Sequence, residues 1–117
     1  MLLPADPDRS AAAIRAAIGQ RLGVAPGVII SDSFGRPWRV GTTNVAIGVS
    51  GMVAVPDQRC ERDRNGRVLQ ATQPALADAA GLVMGEGALV ILRGLAARGP
   101  HQDATALVRP VAEDMFR

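Results

Sequence analysis

The sequence predicts an α+β fold, a mixed sheet with two or three helices, and three observations lead there. One early stretch has helical apolar spacing with stop signals at both ends. Short branched apolar runs of strand length recur at 28–30, 45–49 and 88–92. Turn residues separate these runs, and no repeat, low-complexity tract or linker divides the chain. At 117 residues the length is that of one domain with a modest core.

The helix opens at Asp6-Pro7-Asp8: an acidic cap, a proline in the first turn, and a second acid facing the helix dipole. Ala11, Ile14, Ile18 and Leu22 then recur at helical spacing, with Arg15 and Arg21 off that face, and Gly23 supplies the stop. The expected helix is 8–22, and its expected role is packing. Val28-Ile29-Ile30 reads as a buried strand whose polarity flips at Ser31-Asp32-Ser33, ahead of Phe34-Gly35-Arg36-Pro37-Trp38-Arg39. Val45 to Val49 is a second strand, in which Gly48 and nearby Gly51 let another backbone or a ligand come close. Segment 58–67 is dense in charge and ends in Asn65-Gly66, a hairpin-turn signature. Composition alone favours a solvated hairpin tip whose ion pairs contribute little. A short strand at 68–71, a buried second helix from Thr72 to Met84, and a buried strand at 88–92 complete the reading. The tail from Ala104 is helix-like and interrupted by Pro110.

Composition excludes several function classes. The formal charge of +2 is carried by 13 arginines and no lysine. That removes the phosphate-loop lysine and Schiff-base chemistry. With three aromatic residues, Phe34, Trp38 and Phe116, there is no stacking platform for nucleic acid. No apolar run reaches the ~20 residues of a membrane span, and no signal peptide is recognisable, so a cytoplasmic protein is expected. The lone Cys60 fits a reducing compartment. His101 has no second histidine or cysteine in range and is read as an exposed loop residue. The common nucleotide and hydrolase signatures are missing. The remaining chemistry lies at Asp32, a hard oxygen donor, and at Arg36 and Arg39, forked donors suited to phosphate or carboxylate.

The block Ser31-Asp32-Ser33-Phe34-Gly35-Arg36-Pro37-Trp38-Arg39 resembles the S-D-T-F-G-R-P-W-R signature of the coenzyme F420-0:L-glutamate ligases. The resemblance continues through Asn44 to Gly48 and Gly51-Met52. Asp57-x-Arg59 and Asp63-x-x-Gly66-Arg67 match a family block of the form D-Y-R-G-x-x-D-x-Y-G-R, with Gln58, Cys60 and Asn65 replacing its first tyrosine, its first glycine and its second tyrosine. Leu82 to Gly85, Arg93-Gly94 and Leu107 to Pro110 follow in family order. The similarity covers nearly the whole chain and corresponds to the C-terminal half of the family, leaving out a metal carboxylate and early nucleotide-contacting segments.

The resemblance implies a GTP- and Mg²⁺- or Mn²⁺-dependent reaction in which the terminal carboxylate of the F420 precursor is phosphorylated and then attacked by the amine of L-glutamate. It implies Asp32 and Ser33 as metal ligands and Arg36 or Arg39 as the clamp on phosphate or carboxylate. It implies Asp57, Arg59 and Asp63, with Gly85 and Glu86, as further nucleotide- or substrate-binding candidates. Three readings differ in class: a ligase subunit whose other half is supplied elsewhere, a truncated paralogue that binds metal or nucleotide without chemistry, and a purely structural domain. Apolar content in so short a chain also predicts self-association, as a homo-oligomer or with a partner supplying the missing half.

Overall fold

The computed structural model describes residues 3–83, 89–95 and 99–114. The architecture is α+β, as the sequence predicts. Helix α1 (Pro7–Leu22) precedes a hairpin of strands β1 (Val28–Arg36) and β2 (Arg39–Ser50), and a short helix α2 (Leu76–Gly81) follows. Two 3₁₀ turns, Ala104–Leu107 and Val111–Glu113, lie either side of Pro110 and account for the interrupted helical pattern of the tail. Among the described residues the sheet is the antiparallel pair β1–β2.

The cap signature at the start of α1 works as read. Asp6 Oδ1 accepts the Arg9 amide at 2.9 Å, and Gly23 closes the helix in the left-handed conformation with its N–H on the Gly19 carbonyl. The buried face keeps part of the expected stripe, Ala11 with a half-buried Ile18, and loses the rest. Ala11 is fully buried, whereas Ile14 and Leu22 are exposed. The helix approaches the sheet through Pro7, Asp8, Ala11 and Arg15, a stripe rotated from the expected one. The cause is at β2. A Cβ built on Gly48 would lie 2.4 Å from the Pro7 carbonyl oxygen, and one on Gly51 would lie 2.0 Å from Arg15 Nε. Both glycines admit a close neighbour, as their spacing in the sequence suggested. Gly48→Ala is expected to cost about 2–3 kcal/mol, because its neighbour is backbone and cannot swing aside. An unchanged urea midpoint would refute this.

The core is built from small residues. Ala46, Val49, Ala54, Ala77 and Ala104 form its buried cluster, with Ile29, Met52, Val55 and Leu107 packed against it. Side-chain carboxylates bind the separate pieces to β2. Asp8 Oδ1 accepts from the Val49 amide at 2.8 Å and from the Ala104 amide at 3.0 Å. Asp78 Oδ1 accepts from the Ala46 amide at 2.8 Å. Asn44, buried, donates from Nδ2 to the Gly81 carbonyl. Gln102 Oε1 accepts from both Ala54 and Val55.

Three expected elements are corrected. The second helix begins at Leu76 rather than Thr72, because the Thr72 carbonyl accepts the Gln58 amide and Pro74 turns the chain just ahead of α2; Met84 lies outside the described residues. The run at 88–92 is not a buried strand: Leu89 to Leu92 have no strand pairing and are exposed, since among the described residues no neighbouring strand receives them. Ala88 is outside the described residues, as are Met1 and Leu2. The strand expected at 68–71 reduces to one bridge, Arg62 with Val68.

Candidate functional site

The nine-residue motif forms the outer part of the hairpin. Ser31 to Arg36 complete β1, Pro37 and Trp38 form the turn, and Arg39 starts β2. Proline followed by a residue of positive φ (Trp38, φ 56) is the pattern of a type II turn, an unusual place for a large side chain. The motif is therefore mostly strand, where the sequence suggested a polar segment beyond a strand's end.

This conformation decides how the candidates face. Ser31 pairs with Ala46, Asp32 with Val45, Ser33 with Asn44, and Arg36 with Arg39. Ser31 lies against α2, its Cβ 3.2 Å from where a Cβ on Gly81 would stand. Alternation along the strand then directs Ser33 to the same face and Asp32 to the reverse one. Asp32 is half-buried and Ser33 exposed. The two sit side by side in sequence but on opposite faces, so a single ion meets Asp32 first.

At the turn the hairpin brings together the two arginines of the motif. Arg36 and Arg39 are direct cross-strand partners, an arrangement in which like charges oppose each other. Arg39 is exposed, while Arg36 is half-buried and its Nε is buried without a hydrogen-bond partner. A buried donor with nothing to bond is costly, and the cost disappears if an anionic acceptor lies across it.

The second group of candidates is separate and largely self-satisfied. Asp57 and Arg59 form an exposed two-pronged ion pair with each other. The Arg59 side-chain hydrogen bond, aided by the Arg59 amide, holds the Asp57 carboxyl down at about 2. Its folded-state value is below the ordinary carboxylate value. Whatever this pair adds to stability is thus present above about pH 4 and lost as pH falls towards 2. An NMR titration of the Asp57 carboxyl should show ionisation persisting below pH 3, and a midpoint near 4 would contradict the pairing.

Asp63 holds the adjacent turn, accepting from the Asn65 and Arg67 amides at 2.8 Å each, and Arg62 donates to the Gly66 carbonyl. The hairpin expected around Asn65-Gly66 is present, but Asp63 binds backbone rather than a neighbouring cation. Cys60, free and exposed, has φ 69, a left-handed conformation that disfavours any side chain. It stands where the family block has glycine, which explains why a glycine suits that position. Cys60→Gly is expected to raise stability by about 0.5–1 kcal/mol, read as a higher denaturant midpoint. Gly85 and Glu86 lie outside the described residues.

Two shallow grooves flank β2. One, of about 440 Å³, lies between α1 and 101–103 and is lined by Asp8, Arg9, Arg15 and His101 among others. The other, of about 420 Å³, runs past Asp8, Val45, Ile47, Asp78 and Leu107. Neither is lined by Asp32, Ser33, Arg36 or Arg39. Among the described residues no three or more histidine, cysteine or acidic side chains converge on a metal position. Asp32 thus offers a hard oxygen of the right kind for Mg²⁺ or Mn²⁺, but only part of a ligand set.

The family model for F420-0:gamma-glutamyl ligase matches residues 1–94. The chain belongs to that family. It is 44% identical over 124 residues to the coenzyme F420:L-glutamate ligase of Methanocaldococcus jannaschii, covering 99% of this chain and 50% of the relative. It is 44% identical over 130 residues to the enzyme of that name from Methanopyrus kandleri, covering 100% and 51%. With that of Haloarcula marismortui it is 50% identical over 91 residues, covering 74% and 35%. The chain spans about half the length of the curated relatives it matches. No helix among the described residues is long and apolar enough to cross a membrane.

Nothing in the sequence signals the long-range bonds made by Asp8, Asp78 and Arg15. Arg15 Nε donates to the Pro26 carbonyl at 2.9 Å while the side chain lies over Gly51. Only the glycine at 51 signalled a close neighbour, and nothing local identified which one.

Proposed function

We propose that this chain forms the C-terminal half of a ligase that joins L-glutamate to the F420 precursor. GTP phosphorylates the precursor's terminal carboxylate, releasing GDP. The glutamate amine attacks the acyl phosphate, the C–N bond forms, and inorganic phosphate leaves with the amine's proton lost to solvent. Family membership supports the reaction class, and one observation supports the site. The buried, unpartnered Nε of Arg36, with Arg39 directly opposite, is a donor arrangement suited to an anion. Transferring phosphoryl groups or the precursor's carboxylate would relieve both the unpaired donor and the opposed charges.

Asp32 lies four residues from Arg36, roughly 13 Å along the strand. One phosphate oxygen does not span that distance. A nucleotide triphosphate with its ion, and the long arginine side chain reaching towards it, shortens the gap considerably. Asp32 is the proposed metal ligand, and Ser33, on the opposite face of β1, does not share that ion. A divalent ion bound there neutralises phosphate charge. Asp57, Arg59 and Asp63 are assigned to loop architecture first. Arg59 becomes available to substrate only when its pair with Asp57 opens.

The incomplete ligand set favours one alternative, a domain that binds nucleotide and metal without chemistry. The deciding assay supplies precursor, GTP, Mg²⁺ or Mn²⁺ and L-glutamate, with and without the N-terminal half of a ligase, and weighs the product for added glutamate. Addition supports the ligase reading. GTP binding by calorimetry with no addition in either arm supports the alternative, and neither binding nor addition refutes both. Asp32→Asn is the control, and an unchanged metal affinity would remove Asp32 as ligand.

A further inference from the structure

The β1–β2 ladder slips by one residue in its middle. Val28, Ile29 and Ile30 pair with Ser50, Val49 and Gly48, but Ser31 pairs with Ala46, which leaves Ile47 without a partner across the hairpin. Ile47 is the extra residue of a β-bulge. Ala46 and Val49 stand three positions apart, a spacing that puts residues on opposite faces of a regular strand. Across the bulge they share one face, and both enter the buried cluster with Ala54, Ala77 and Ala104. Their amides also turn to the edge of β2 that β1 does not cover. There each meets a carboxylate at 2.8 Å, Val49 that of Asp8 and Ala46 that of Asp78.

These two carboxylates flank the bulge, and Ile47 lies with them in the groove of about 420 Å³. Asp8 holds its inner side. The outer side is held by α2, where Asp78 takes the Ala46 amide, the Gly81 carbonyl takes Asn44 Nδ2 at 3.1 Å, and Gly81 lies against Ser31. Only the Asp78 bond is to the backbone of the bulge itself. Deprived of that acceptor, the amide of buried Ala46 regains a partner by closing the ladder, in which it donates to the Asp32 carbonyl. A continuous ladder pairs Asp32 with Ala46 and Ser33 with Val45, one residue out of the observed register. Such a slip exchanges the faces of a strand, so Asp32 would share the face of Ala46, towards the core and α2.

We infer that Asp78 is a positioning residue for Asp32. By accepting the Ala46 amide it fixes the register that keeps Asp32, with Arg36 in phase with it along β1, on the face away from the core. Asp78 acts through the strand and is not itself a ligand. The functional consequence rests on the proposed metal role of Asp32, whereas the register is read with no ion present.

Two measurements on this chain test the inference. The first is the set of α-proton contacts across the hairpin by NMR, strongest for the close pairs Ser31–Ala46 and Ser33–Asn44. The second is a titration with Mn²⁺ alone, read as paramagnetic broadening of the Asp32 amide. Asp78→Ala should lose both contacts, gain one between Ser33 and Val45, and raise the Mn²⁺ concentration for half-broadening at least fivefold. Asp78→Asn keeps an acceptor oxygen and should retain both contacts, with affinity within twofold. Deleting Ile47 removes the extra residue and leaves Ser31 opposite Ala46 in an unbroken ladder. In that background Asp78→Ala should change neither the contacts nor the affinity by more than twofold, and this double variant decides the matter if Asp78→Ala alone does not fold. Intact contacts in Asp78→Ala overturn the inference, as does a slipped register with undiminished Mn²⁺ affinity. Failure of the double variant to fold makes Asp78 a stability residue only and equally overturns it. A slip in Asp78→Ala, with no Mn²⁺ broadening at Asp32 even in the wild type, would uphold the register role and count against Asp32 as ligand.

Discussion

Replacing Asp8 by alanine is expected to lower stability by about 3 kcal/mol. One oxygen of that carboxylate takes two amides, Val49 in β2 and Ala104 at the start of the first 3₁₀ turn. Those positions are 41 and 96 residues away, so the carboxylate joins the first turn of α1 to the middle and the end of the chain. A hydrogen bond to a charged group contributes about 1.5–3 kcal/mol, and truncation leaves both amides without their acceptor. Partial exposure lets water recover some of the loss, which keeps the figure near the lower sum. Asp8→Asn retains one carbonyl oxygen in place and should cost about 1 kcal/mol. Urea denaturation of the three proteins tests this, and equal midpoints for wild type and Asp8→Ala would show that the carboxylate holds nothing together.

Asp8 also shows what a sequence can and cannot disclose. Its local role was legible: an acid in the first turn of a helix capped by Asp6. Its long-range role was not, because nothing within a helical window specifies an amide 96 residues on. The hairpin divides in the same way. Val28-Ile29-Ile30 and Val45 to Val49 announce strands through branched apolar side chains. Ser31-Asp32-Ser33 looks like the end of a strand, because polar runs usually leave the core there. In a two-stranded ribbon extending past the core both faces are wet, so β1 carries polar residues to Arg36 without breaking its ladder. Leu89 to Leu92 fail for the converse reason. Their apolarity predicts burial, but burial needs a partner surface, and the described residues provide none. The candidate site was legible as letters, through the nine-residue motif, and not as geometry. That Arg36 and Arg39 oppose each other depends on the two-residue turn, and that Asp32 and Ser33 face apart depends on the strand continuing through them.

Arg36→Met should separate activity from stability, moving them in opposite directions. If Arg36 grips phosphate or carboxylate as proposed, removing its guanidinium should reduce kcat/KM for glutamate addition by about 10²–10³-fold, the range for a lost donor to developing charge. The assay is the one with the N-terminal half present. In the free chain the same side chain is a liability. Its Nε is buried without a partner, and its charge faces that of Arg39. An unbranched apolar side chain of similar length removes both penalties, so the denaturant midpoint should hold or rise, by up to about 1 kcal/mol. A residue retained only for packing would give the reverse, a falling midpoint with activity following it. A clamp also predicts that Arg36→Lys recovers little, since one ammonium cannot reproduce a planar fork of donors. Full activity in Arg36→Lys would reduce the role of Arg36 to charge alone. Loss of stability in Arg36→Met would mean that the Nε has a partner after all and that the clamp lies elsewhere on the hairpin.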